Sequence, residues 1–185
     1  MTDLPLHDRK IIALRDILSR DHAVCPKTVV ETGTWKGQLT IRLPELFEKV
    51  HTIEKSEELY HRRPEVRNVA FHLGDSREVL RRLLPSLTEP CLFYLDAHYF
   101  ESYKPPVSKG VVGANDFPLW GELDIISPRT QPDIVVVDDV HCFGQDKGEH
   151  YGDWQNVSPE SLAERLRRVY RQETIGDMHA MWRSV

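Results

Sequence analysis

The stretch Thr28-Val29-Val30-Glu31-Thr32-Gly33-Thr34-Trp35-Lys36-Gly37 decides how the chain is read. Its first three residues are β-branched, the type that packs well on a pleated strand. They run into two glycines four positions apart, a spacing that suits a tight strand-to-helix turn whose backbone a ligand can approach. Glu54 closes the next apolar run, 21 residues after Gly33. A carboxylate at that distance from a glycine turn is placed to accept hydrogen bonds from a ribose diol. Without a ligand, the same residues would form an ordinary turn and a surface glutamate.

The rest of the chain repeats this alternation. Short apolar runs span residues 50–53, 69–73, 91–95 and 134–137, and they end in Glu54, Gly74-Asp75-Ser76, Asp96-Ala97-His98 and Asp138-Asp139. Apolar residues at helical spacing predict a helix over 6–19, with Ile11, Ile12, Leu14, Ile17 and Leu18 on its apolar side. Further helices are predicted over 38–48, 56–62, 77–84 and 118–126. Pro44 threatens the first of these, Ser56 caps the second and Pro85 stops the third. Ser158-Pro159-Glu160 opens a last helix, and residues 173–185 leave room for one or two closing strands. Strands alternating with helices predict an α/β fold: a doubly wound, mostly parallel sheet with helices on both faces. In such sheets ligands sit at the carboxyl ends of the strands. Residues 99–116, with two prolines, two glycines and no periodicity, are expected to form a loop over the site, carrying Tyr103, Lys104 and Lys109.

Composition narrows the field. The 185 residues fit a single domain, with a helical segment over 1–25 and the loop over 99–117. The net charge of −5 argues against a domain that binds nucleic acid by blanket phosphate neutralisation. Three cysteines without a CxxC pair argue against a disulfide scaffold or zinc knuckle and point to a reducing cytoplasm. No apolar run approaches the roughly 18 residues of a membrane span, and the first residues lack the pattern of a signal peptide.

The glycine turn also discriminates among adenosine ligands. Glu31 stands where the dinucleotide fingerprint wants a glycine, and Trp35 where the backbone would approach a pyrophosphate. A carboxylate there repels phosphate, and no Gly-Lys-Ser or Gly-Lys-Thr follows as a P-loop requires. A sulfonium cofactor with a positive amino group suits an acidic turn. At the other strand ends, Asp96, Asp138 and Asp139 converge if their strands are neighbours. Such like charges call for a positive partner, and all-oxygen ligation favours magnesium, calcium or manganese. The alternative is local: Asp138 and Asp139 cap a turn and Asp96 pairs with a lysine or arginine.

Residues 29–37 resemble the first motif of class I methyltransferases that use S-adenosylmethionine (SAM), a family with a Rossmann-like fold. The resemblance implies that Glu31, Gly33, Thr34 and Gly37 line the methionine end of SAM. It places Glu54 on the ribose, Asp75 and Ser76 near the adenine, and Asp96 at the cofactor's edge. Asp75 also suits the N-cap of the next helix. Over residues 29–143 the pattern is similar to small bacterial metal-dependent O-methyltransferases of the catechol and macrocin types. This implies a divalent metal, most simply Mg2+, on Asp96, Asp138 and Asp139, and a small-molecule or sugar hydroxyl as methyl acceptor. His98 stands near the position of the macrocin-type acidic base, so His98 with Asp96 is the expected catalytic pair, although His98 and His141 could also serve as ligands for iron or zinc. Glu122 is expected on a helix surface or behind a ligand. A metal-dependent hydrolase or oxygenase and a non-catalytic nucleotide-binding protein are the competing readings. A homo-oligomer would supply the acceptor wall that so short a chain lacks.

Overall fold

A computed structural model describes residues 5–20, 22–98, 117–146, 152–167 and 170–183. Helix α1 (Leu6–Leu18) precedes strand β1 (Thr28–Thr32) and β2 (Lys49–Glu54), followed by α2 (Glu57–His61), β3 (Val69–Leu73), α3 (Ser76–Leu83) and β4 (Cys91–Leu95). After the undescribed residues 99–116 come α4 (Leu119–Ile126), β5 (Ile134–Val137), α5 (Pro159–Arg165), β6 (Tyr170–Ile175) and β7 (Met178–Arg183). The seven strands form one sheet in the order β3-β2-β1-β4-β5-β7-β6. The first five run parallel, and the β6–β7 hairpin adds antiparallel to β5. The predicted α/β doubly wound sheet is therefore present, and the tail supplies two strands. The loop expected over 99–116 lies outside the described residues. No helix among the described residues is long and apolar enough to cross a membrane.

Period-2 alternation sorts the central strands between two cores. Leu92 and Tyr94 of β4, with Ile134 and Val136 of β5, pack on one face against Ile11, Leu14 and Ile17 of α1. Cys91, Phe93, Leu95, Val135 and Val137 pack on the other face with residues of α3, α4 and α5. Strands covered on both faces read as unbroken apolar runs, as these do. The α1 stripe is narrower than expected, because Ile12 is exposed.

The helix expected over residues 38–48 does not form. Ile41 bonds back to Gly37, but Arg42, Glu45 and Leu46 bond three residues back, and only a 3-10 turn at Leu43–Glu45 is regular. Pro44 has no N–H to give to Thr40, and the Thr40 hydroxyl is drawn into the core by Glu31. Mixed turns replace the helix.

The turn after β1 is held by its fit to the neighbouring strands. The N–H groups of Gly33 and Thr34 both donate to the Ile53 carbonyl. Gly33 has φ +86°, and a Cβ there would lie 2.5 Å from the Asp96 carbonyl oxygen. Gly37, at φ +71°, would bring a Cβ to 2.9 Å from the Pro64 ring. In both places the missing side chain lets two chain segments touch. Gly33→Ala is accordingly expected to cost about 2–5 kcal/mol, from left-handed backbone strain and backbone overlap. The expected melting temperature falls by roughly 10 °C for a domain of this size; a thermal melt within a degree of the parent would contradict this packing.

Candidate functional site

Glu31 lies inside β1 rather than beyond it, with its side chain fully buried. The hydroxyls of Thr40 and Thr52 each donate to its Oε2 at 2.6 Å. Burial pushes its carboxyl up to about 7, and the two hydroxyls only partly oppose this. Thr34 extends the group through its 2.5 Å contact with Thr52. At the end of β2, Glu54 accepts backbone N–H bonds from Trp35 at 2.8 Å and Ser56 at 2.7 Å, one on each oxygen. Its carboxylate is thus aimed across the turn before any ligand arrives, and burial raises its pKa. Trp35 completes this contact from a left-handed backbone conformation, φ 50°, a strain that persists only where the surroundings impose it.

Asp75 caps α3 by accepting the Arg77 N–H at 3.0 Å, the local role expected of it. Its carboxylate also takes the Arg77 guanidinium at 2.9 and 2.7 Å and meets Lys55 at 3.3 Å. These cations hold its pKa well below the ordinary range, with Arg77 dominant. Ser76 is buried as the first residue of α3.

Asp96 and Asp138 continue the alternation of β4 and β5, so both fall on the α1 face. There they meet a residue that sequence reasoning missed. Lys10 hydrogen-bonds Asp138 and lies 3.4 Å from Asp96. Asp138 is 1% exposed and Lys10 12%, so this is a buried ion pair. Tyr94 donates its hydroxyl to the same Asp138 oxygen at 2.7 Å. Burial alone would lower the Lys10 pKa, but Asp96 and Asp138 outweigh it and hold the ammonium charged. Burial and the like charge of Asp96 push the Asp138 carboxyl upward. The Lys10 ammonium thus stands between the carboxyls of Asp138 and Asp96. A signal was present in the sequence: Lys10, Leu14 and Ile17 are spaced i, i+4, i+7 on the buried stripe of the helix.

The second cation is His98. Its Nε2 lies 2.7 Å from Asp139 and 3.3 Å from Asp96. Burial would lower its pKa, but these two carboxylates raise it well above the usual imidazole value. His98 in turn pulls Asp139 below the carboxylate range against the effect of burial. Asp139 reaches the imidazole from a left-handed conformation, φ 58°, that turns it out of the β5 alternation. His141 is directed mainly elsewhere: its Nδ1 lies 2.8 Å from Asp177 and 3.9 Å from Asp139, the carboxylate whose other oxygen meets His98.

The three aspartates expected to share a divalent ion are therefore divided. Among the described residues, the ligand-type atoms that gather within 4.8 Å are those of Asp96, His98 and Asp139, and separately Asp139, His141 and Asp177; Asp138 belongs to neither group. An ion bridging Asp96, Asp138 and Asp139 would compete with the ammonium already placed between two of them. The residues present do not fit that metal site, and the local alternative, an aspartate paired with a lysine, describes Asp96.

Glu122 is not a helix-surface residue. It is 1% exposed on α4, and neither carboxyl oxygen has a well-formed hydrogen bond. It lines a cleft with Asp96, His98, Asp138, Phe117 and Trp154. Burial pushes it up to about 7, moderated by the Ser76 and Thr32 hydroxyls. A perturbed carboxyl in a cleft beside other titratable groups makes this cleft a candidate functional site.

No family model matches the chain, and no curated protein matches it. Solved structures do resemble it. The precorrin-6y C5,15-methyltransferase of Geobacter metallireducens is 11% identical, with coverage of 100% of this chain and 93% of that one and a TM-score of 0.56. A SAM-dependent methyltransferase of Anabaena variabilis is 14% identical over 95% of this chain and 82% of that one, at 0.55. A candidate methyltransferase of Streptococcus mutans, solved in complex with SAH, is 14% identical over 98% and 99%, at 0.53. At these identities the likeness is one of fold: the chain has the Rossmann-like α/β fold of these methyltransferases.

The Glu122 carboxyl yields a signed pH prediction. Its pKa of about 7 in the folded state exceeds its ordinary value of 4.5. Its contribution is therefore most favourable below about pH 4.5 and is lost as pH rises through 7. Glu122→Gln should gain stability relative to the parent between those values, reaching about 1–3 kcal/mol at pH 8. Denaturant melts at pH 5 and pH 8 measure it; a difference that shrinks with rising pH would contradict the buried, raised carboxyl.

Proposed function

We propose that this chain is a SAM-dependent methyltransferase acting on a hydroxyl of a small molecule. The observation that carries the reading is a juxtaposition at the carboxyl edge of the sheet. The preset Glu54 carboxylate and the buried Glu31 lie at the carboxyl ends of β2 and β1, and Asp96 and His98 follow the neighbouring β4, with Asp139 reaching them from β5. Glu54 would take the ribose diol. Glu31 and Asp96 would favour a positively charged sulfonium and amino group and disfavour phosphates. Gly33, Thr34 and Gly37 would shape the turn against the methionine end, and Asp75 with Ser76 would border the adenine. When bound, the cofactor supplies a methyl group on a positively charged sulfur.

This chain's own residues then position the acceptor and receive its proton. His98 is the base in this reading, with Asp139 and Asp96 orienting its ring. Because those carboxylates hold the imidazole as a cation, the active form of the enzyme appears only on deprotonation. Phe117 and Trp154 would give the acceptor apolar walls. Methyl transfer itself is a matter of alignment, which a rigid strand-end site provides. In this reading the transfer needs no divalent ion, since the Lys10 ammonium already stands between Asp96 and Asp138.

Calorimetric titration with SAM tests the cofactor. Binding at roughly micromolar Kd is expected, unchanged by EDTA or magnesium and weakened at least about tenfold in Glu54→Ala. No heat of binding under either condition would reject the reading. Turnover on an accepted hydroxyl substrate should rise with pH along a limb well above the ordinary imidazole value, because His98 must lose a proton that two carboxylates retain. In Asp139→Asn that limb should move to lower pH; a limb that stays in place would remove His98 from the base role.

A further inference from the structure

We propose that Lys10 is a positioning residue that serves as a built-in cation at the strand ends, in the place where a divalent metal would otherwise bridge the aspartates. The idea rests on the methyltransferase reading for its catalytic meaning, but its geometry stands alone. A carboxylate 1% exposed at the end of a central strand needs a counter-charge. The chain provides one from α1, whose apolar stripe of Ile11, Leu14 and Ile17 is clamped onto the same face of the sheet. Lys10 reaches both Asp138 and Asp96, and Tyr94 adds a hydroxyl to Asp138 and presents its ring 5.9 Å from the ammonium. Asp96 then passes the arrangement on, since its other oxygen meets His98.

The charges support the same conclusion. Fully ionised, Asp96, Asp138 and Asp139 would carry three negative charges, which Lys10 and protonated His98 reduce to one. A divalent ion added to that set would create an excess of positive charge around the ammonium. Removing the Lys10 charge would leave Asp138 and Asp96 without their shared counter-charge, a demand that a hard cation would answer. Lys10 thus acts through Asp96 and Asp138, fixing the carboxylate against which His98 and the acceptor are set. It also makes α1, the first element of the chain, part of the site.

Manganese binding, read by the loss of the free-ion electron paramagnetic resonance signal, separates this role from simple packing. The wild-type protein should show no binding up to about 1 mM Mn2+, the weak end of carboxylate cation sites. Lys10→Met, checked for folding by circular dichroism, should bind at least about tenfold more tightly. Lys10→Gln is a second, polar variant should the first not fold. The catalytic arm uses the same proteins: wild-type turnover should be unchanged by EDTA, and the Lys10→Met loss should be partly restored by millimolar Mn2+. Manganese binding by the wild type as tight as by the variants would overturn the proposal, and so would variants that fold but gain no binding. The resonance arm needs neither SAM nor an acceptor, so a failure of the methyltransferase reading would appear separately, as absent SAM binding.

Discussion

The structure depends on a counter-charge for Asp138. This carboxylate is the next residue after four buried apolar ones in β5, and strand alternation sends it to the α1 face. A charge so placed is tolerable only when paired and hydrogen-bonded. Lys10 and Tyr94 meet that need from a helix and a strand far apart in sequence. From this pair follow the tie between α1 and the strand ends, the orientation of Asp96 and, through Asp96, one of the two contacts that keep His98 a cation.

The other half of the site depends on backbone fit. Gly33 lets the turn after β1 touch the end of β4, so the turn and Asp96 are brought together by packing. Trp35 closes the same turn from a strained conformation and hands its N–H to Glu54. Asp139 is likewise strained, and the twist carries its carboxylate from the strand's alternation to His98. Strain kept at two ends of one sheet edge accords with a site whose geometry has been fixed before a ligand arrives.

Much of the fold was legible in the sequence. The strands ending before Asp96 and Asp138 were visible as apolar runs, because each is buried on both faces and bounded by polar residues. Ser158 and Pro159 marked a helix start that the structure shows with a capping box. The stretch around Pro44 was misleading, since its apolar spacing is helical but the proline removes a bond and Glu31 draws Thr40 inward. Within the site, spacing alone identified the strand-end residues but not how they divide. Whether Asp96, Asp138 and Asp139 share one partner depends on a lysine more than 80 residues away and on one left-handed backbone angle. Neither is a local property. Glu122 was hidden for the same reason: a glutamate in the first turn of a helix usually faces solvent, and only the packing of α3 against α4 buries it.

The identity of the positive group between Asp96 and Asp138 decides how the strand ends work. Anomalous diffraction at the manganese edge, from crystals grown with SAH and Mn2+, addresses it directly. The account predicts SAH across the ends of β1, β2 and β4, the Lys10 ammonium between Asp96 and Asp138, and no anomalous peak there. A manganese peak bridging Asp96, Asp138 and Asp139, with Lys10 displaced, would contradict it.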